Sequence, residues 1–154
     1  MSQLDHATFD AHRDAILAVV RADPFAQSLG IALTRFEAGV AEATLTVQPH
    51  MRNALGGLHG AALYTLADFV FSVGCNAYGR IAVGLSTTIQ FLATASVGDV
   101  LTARATELKR GQRAGFYRIE VWHGETLLAT MDAVAHRTDR AFVSLTAAGG
   151  EGAS

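Results

Sequence analysis

Residues 61–78 read Ala61-Ala62-Leu63-Tyr64-Thr65-Leu66-Ala67-Asp68-Phe69-Val70-Phe71-Ser72-Val73-Gly74-Cys75-Asn76-Ala77-Tyr78. These residue types suit a helix, and Ala, Leu, Phe and Val fall around its whole circumference. The expected element is therefore a helix buried inside the domain, not one lying on its surface. Asp68 is the only carboxylate between Ala54 and Gly79. A lone charge in such a helix is expensive, and its pKa tends to rise.

On both sides of this helix the period changes. Upstream, Ala41, Ala43, Leu45 and Val47 alternate with Glu42, Thr44 and Thr46, the pattern of a half-buried strand, with residues 31–37 as its partner across Ala38-Gly39. Downstream, strands are expected over 81–92, 99–109, 115–123 and 126–137, the last two joined by a hairpin turn at Gly124-Glu125. Before all of these, residues 7–22 place Phe9, Ile16, Leu17, Val19 and Val20 on one helical face, with Thr8 as N-cap and Pro24 as terminator. The connections are too short for parallel crossovers. A buried helix followed by antiparallel strands gives an α+β roll, the hotdog architecture, in which the sheet wraps the helix.

The 154 residues make one domain, 1–154, with a helical segment at 1–24 and a glycine-rich tail at 147–154 expected to fray. Half the residues are apolar, and 12 Lys+Arg stand against 14 Asp+Glu. That balance offers no cationic surplus for a nucleic-acid backbone. The longest apolar stretch, 58–78, is interrupted by His59, Thr65, Asp68 and Asn76, so no bilayer span is expected. The charged N-terminus does not read as a secretory signal. A single cysteine, Cys75, excludes an internal disulfide and fits the cytoplasm. Six histidines show no metal-ligand spacing, so no metal is expected.

The chemistry concentrates in Asn53-Ala54-Leu55-Gly56-Gly57-Leu58-His59-Gly60-Ala61 and in Leu66-Ala67-Asp68. A helix start leaves backbone N–H groups unpaired at the positive end of the dipole, and glycine lets a ligand come close; Gly60 thus offers an oxyanion site. His59 reads as a cap or packing residue, and Asn53 either as a loop-turn residue or as a group orienting water or a carbonyl. Asp68 reads either as a satisfied carboxylate or as a base or nucleophile in a dry cleft. Gly60 and Asp68 lie eight residues apart, roughly 12 Å along a helix. One carbonyl cannot touch both within a chain, so joint action requires a homodimer with sites at its interface.

These residues, together with Cys75-Asn76-Ala77-Tyr78-Gly79, Ile89-Gln90-Phe91-Leu92 and Gly98-Asp99-Val100-Leu101-Thr102-Ala103, resemble the hotdog acyl-CoA thioesterases of the PaaI type, from phenylacetate catabolism. The resemblance runs over about 25–138. It implies a hydrolase of acyl-CoA thioesters, with aromatic acyl groups among the candidates, without metal or prosthetic group, coenzyme A entering as part of the substrate. It implies that Asp68 attacks the thioester carbonyl or activates water, that Gly60 N–H of the other subunit polarises the carbonyl, that Asn53 holds water or thioester, and that His59 braces the loop. A strand hydroxyl from Ser86, Thr87 or Thr88 is a further candidate. Hotdog dimers commonly pair again, so a homotetramer is expected. The chain departs from the family at Leu55, Ala61 and Phe69, which bears on the acyl pocket.

Coenzyme A phosphates need cations, and Arg110-Gly111-Gln112-Arg113 is the best basic turn, with Arg80 and Arg137 behind it. Cys75 reads as packing. Two alternatives stay open: a hotdog enoyl-CoA hydratase or dehydratase using His59 and Asp68, and a non-catalytic acyl-CoA-binding module.

Overall fold

A computed structural model describes residues 3–144 of the chain, with side chains from Ala7 onward. The expected tail at 147–154 lies outside the described residues. In chain order the elements are α1 (Gln3–Arg21), α2 (Pro24–Leu29), β1 (Ala32–Glu37), β2 (Val40–Thr46), a 3-10 turn (Pro49–Met51), α3 (Gly60–Cys75), β3 (Arg80–Phe91), β4 (Val100–Arg110), β5 (Ala114–His123) and β6 (Thr126–Ala141). The strands form one antiparallel sheet in the order β1-β2-β4-β5-β6-β3. It curls around α3, which touches every strand. This is the α+β hotdog architecture expected from the sequence.

On β2, β4 and β6 the sheet can approach the helix because alanines line much of its inner face. Ala41 pairs with Ala105 and Ala43 with Ala103 across β2 and β4, and Ala129, Ala133 and Ala135 continue the small surface on β6. Into this shallow floor α3 sets Leu63, Leu66, Val70, Phe71 and Val73. Large side chains of α3 over these small ones, with Tyr117, Ile119 and Val121 of β5 beside them, fill the space. Phe71 meets the Tyr117 ring edge-on at 5.5 Å between centroids. Helix α1 is held outside this core by Ile16, Leu17 and Val20, and by Phe9 against Phe36 of β1 at 5.0 Å.

The structure corrects three local expectations. First, α1 begins at Gln3, so Thr8 is a helix-interior residue and not the N-cap. Apolar periodicity registers only the packed part of a helix, and the opening turns are polar. Second, Pro24 does not merely end α1 but opens α2 from its first turn, where its missing N–H costs nothing. Asp23 caps that helix by accepting the Ala26 N–H at 2.9 Å. Third, α3 ends at Cys75, not Tyr78, because the Asn76 side chain turns to the next strand. Its amide donates to Ala82 O at 3.2 Å and accepts from Ala82 N–H at 2.9 Å, tying the helix end to β3.

One further difference decides where chemistry can occur. Helix α3 is not covered all round: Ala61, Tyr64, Asp68 and Ser72 are exposed. Their spacing of three, four and four places them along one stripe. No helix among the described residues is long and apolar enough to cross a membrane.

The two sides of α3 predict opposite responses. Leu66, with no exposed surface, should cost about 2–5 kcal/mol on replacement by alanine. Ser72→Ala on the stripe should stay within about 0.5 kcal/mol. Urea unfolding of the two variants checks both.

Candidate active site

The loop before α3 is built around Asn53. Its N–H donates to Gly57 O at 2.8 Å, and its C=O accepts Gly56 N–H at 3.0 Å. The side-chain oxygen accepts from Leu55 N–H (2.9 Å) and Gly57 N–H (3.2 Å), while the amide donates to Leu58 O (3.3 Å). Gly56 sits at φ +85°, a conformation suited to glycine. Asn53 thus commits its side chain to the loop itself, the turn role open to it from sequence. Thr94 closes the loop from outside by accepting the Leu58 N–H at 3.3 Å.

His59 is the N-cap of α3, its Nδ1 accepting the Ala61 N–H at 3.0 Å. An accepting Nδ1 puts the neutral ring's proton on Nε2. The His59 carbonyl takes the Ala62 N–H at 3.0 Å. Among the described residues nothing accepts from Gly60 N–H, the first donor of the helix. A Cβ at Gly60 would stand 3.3 Å from the Phe91 ring, so glycine is also what lets β3 close over the helix start.

Two turns further on, Asp68 projects from the exposed stripe. No described residue donates a hydrogen bond to it or pairs with it. Its pKa is raised, first by partial removal from water and second by the negative charge of Asp23. One turn before it, Tyr64 OH lies 2.9 Å from Thr87 Oγ1. That contact separates the three candidate strand hydroxyls. Thr87 stands opposite buried Ala133 and faces α3, whereas Thr88 stands opposite exposed Asp132 on the outer side. Ser86 follows a register shift and stands opposite Val134. Tyr64 as the partner of Thr87 was not found from sequence; only the register of β3 against β6 reveals it.

The basic turn is rearranged relative to expectation. Arg110 does not face solvent: its side chain is 5% exposed and pairs with Glu107, itself 9% exposed, at 3.2 Å. Its guanidinium lies 3.6 Å from the centroid of the Tyr78 ring, and Tyr117 OH donates to Glu107 at 3.0 Å. Arg110 therefore belongs to a buried polar cluster and is not placed to take a phosphate. Gly111 closes its own turn by donating to Ala114 O at 2.7 Å, and its carbonyl accepts from Arg137 at 2.7 Å. Arg113 is exposed, and Arg80 pairs with Asp139 at 3.4 Å. Burial pushes the Tyr78 hydroxyl up to about 12, and the Cys75 thiol likewise to about 12. Cys75 therefore remains a thiol at neutral pH, as a packing residue should.

The arrangement is a carboxylate with a raised pKa on an open helix face, and a helix-start N–H with no acceptor among the described residues. The family profile described as Thioesterase superfamily matches residues 55–130, the segment that carries both groups. Acyl-coenzyme A thioesterase PaaI of Escherichia coli K12 is 38% identical over 104 residues, covering 68% of this chain and 74% of that protein. The chain belongs to the thioesterase superfamily. Within it the chain is a PaaI-like acyl-CoA thioesterase. The solved structure of the E. coli PaaI protein from the phenylacetic acid degradation operon covers 90% of this chain and 99% of its own, at 33% identity and a TM-score of 0.79. The TT0310 protein of Thermus thermophilus covers 75% and 98%, at 32% identity and a TM-score of 0.73. The likeness therefore extends to the thioesterase fold around α3, not only to the motif.

Two measurements test the electrostatics of this candidate site. An acid whose folded pKa is raised holds its proton more tightly when folded, so it costs stability above that pKa and nothing below the ordinary carboxylate range. Asp68→Asn should therefore unfold at higher denaturant than the parent at neutral pH, with the difference vanishing in acid. In Asp23→Asn, whose amide oxygen still caps α2, the Asp68 carboxyl should titrate at lower pH, read from its carbon-13 shift.

Proposed function

We propose that the protein hydrolyses acyl-CoA thioesters at two equivalent sites across a homodimer, Asp68 of one chain facing Gly60 N–H of the other. The observation that carries this reading is the pairing of two unsatisfied groups on one helix. Roughly 12 Å of helix separates them, so each lacks its counterpart inside its own chain. The edge of the sheet supplies a means of association. β3 is a long edge strand with Val83, Leu85 and Phe91 exposed and Leu92 exposed just past its end, and Leu85 is 64% accessible. A long apolar edge left in water invites pairing with another chain.

In this reading the substrate carbonyl lies against Gly60 N–H, which stabilises the oxygen as it gains negative charge. A donor of this kind is worth about 2.7–4 kcal/mol in other acyl-transfer sites. The ionised Asp68 either adds to the carbonyl carbon, expelling the coenzyme A thiolate and leaving an anhydride that water opens, or takes a proton from the water that adds. Both routes convert thioester and water to carboxylic acid and thiol, and both need Asp68 ionised. Its raised pKa makes it the stronger base. Asn53 and His59 act as positioning residues: the first braces the loop, the second caps the helix and leaves Gly60 N–H for the substrate. Thr87, held by Tyr64, is the strand hydroxyl nearest this machinery.

The chemistry needs no resident metal or prosthetic group, coenzyme A arriving with the substrate. Arg113 on the exposed β4–β5 turn is the remaining candidate for its phosphates, since Gly111 spends its N–H on Ala114 O. Aromatic acyl groups of the phenylacetyl kind, and a place in phenylacetate degradation, are suggested by the operon of the E. coli relative. A homotetramer is supported by Phe116 and Val134, which adjoin on the outer face of the sheet. A cytoplasmic setting suits the free thiol at Cys75. The hydratase alternative is disfavoured by the likeness to acyl-CoA thioesterases over the segment that carries Gly60 and Asp68.

Thiol release from phenylacetyl-, hydroxyphenylacetyl-, benzoyl- and straight-chain acyl-CoAs tests the proposal. Asp68→Asn should lose at least about 100-fold in turnover while the dimer persists. Leu85→Glu should sediment as a monomer and lose turnover with Asp68 intact. Tight binding of the esters without release of thiol would overturn the hydrolase and leave a binding module.

A further inference from the structure

A cavity of about 330 Å³ lies beside the stripe that carries Asp68, between α3 and the corner where α1 turns into α2. Its apolar walls include Val20 of α1, Phe69 and Val73 of α3, and Phe142 beyond β6; its polar groups are Asp23 and Ser72. Ser72 follows Asp68 by four residues, one turn and about 6 Å along the same helix face. The cavity therefore opens next to the carboxylate, and the charge of Asp23 on its wall is felt at Asp68.

Its size and lining restrict what it can take. A dry apolar cavity of about 150 Å³ holds benzene, so one of about 330 Å³ has room for a ring with its linking methylene, or for a medium-length chain. Small-molecule sites begin at roughly this volume. Of the two polar groups, Asp23 uses Oδ1 for the α2 cap, and its charge opposes a second anion. We infer that this cleft holds the acyl group of the substrate, with the α1–α2 corner as its far wall, and that it selects apolar or hydroxyl-bearing acyl groups over those ending in a carboxylate. The inference rests on Asp68 as the reaction centre and adds the part of the chain that chooses the substrate. Helices α1 and α2, which precede the 55–130 segment matched by the family profile, thereby gain a role in specificity.

The test uses non-hydrolysable S-alkyl-CoA thioethers, ethyl to decyl and phenethyl, so that binding is read apart from hydrolysis, beside the matching thioesters. In the unsubstituted protein affinity should rise about three- to fourfold per added methylene until the cleft is full. Ala22→Trp and Ser72→Trp fill it from opposite walls at exposed positions. Each should lower the octyl-to-ethyl affinity ratio, and the octanoyl-to-acetyl ratio of kcat/KM, at least tenfold. Phe142→Ala deepens the cleft and should move the preferred length upward, a gain that misfolding cannot mimic. A thioether ending in carboxylate should bind more weakly than its methyl-ended counterpart, and Asp23→Asn should narrow that gap. Length profiles unchanged in both tryptophan variants and in Phe142→Ala would overturn the inference while acyl-CoA turnover kept the thioesterase reading. Length-dependent binding without any turnover would uphold the cleft and remove the hydrolase.

Discussion

The contact between α3 and the alanine-lined face of β2, β4 and β6 is the constraint on which the rest of the structure depends. Leu66, Val70 and Phe71 reach the sheet only because Ala41, Ala43, Ala103, Ala105 and Ala133 leave room for them. The helix therefore sits deep, and the sheet must curl to meet its flanks. Six strands do not close the circle, and Ala61, Tyr64, Asp68 and Ser72 remain on the uncovered side. The depth of the helix and the opening on its far side are thus one geometric fact. An acidic residue is tolerable in so apolar a helix only at that opening.

The start of the helix is governed by a second, more local constraint. Each first-turn donor needs an acceptor. His59 supplies two, its ring nitrogen to Ala61 and its carbonyl to Ala62, and the loop that delivers His59 is held by the side chain of Asn53. The result is a helix start at which the Ala61 and Ala62 donors are answered by His59 and the Gly60 donor is not. Neither Asn53 nor His59 has to touch a substrate to matter. Their hydrogen bonds determine which donor is left over and where it points.

The sequence revealed the strands, the buried helix, Asp68 and Gly60, because each leaves a local trace: alternation, an all-round apolar helix, a lone carboxylate, a glycine at a helix start. What escaped it depends on neighbours distant in the chain. The exposure of one stripe on α3 is invisible in a helix whose residues look apolar on all sides. That Thr87 and not Thr88 faces inward depends on register against β6, which shifts between Gly84 and Ser86. Helix α2, at six residues, is too short to show a period. Arg110 looked like a surface cation because Tyr78, whose ring it covers, lies 32 residues before it. The cleft against α1 is likewise a product of packing between the two ends of the fold.

Glu107 and Asp68 show how to tell a structural carboxylate from a functional one in such a chain. Both are withdrawn from water to some degree, and an unpaired buried charge is costly. Glu107 is answered within the fold by the Arg110 guanidinium and by the Tyr78 and Tyr117 hydroxyls, at 3.0–3.4 Å. Those groups consume its lone pairs, and nothing remains with which to act on a ligand. Asp68 receives no such answer among the described residues, only desolvation and the repulsion of Asp23. The fold satisfies one carboxylate thoroughly and leaves the other without a partner among the described residues. That contrast, more than the exposure of either residue, sets Asp68 apart from Glu107.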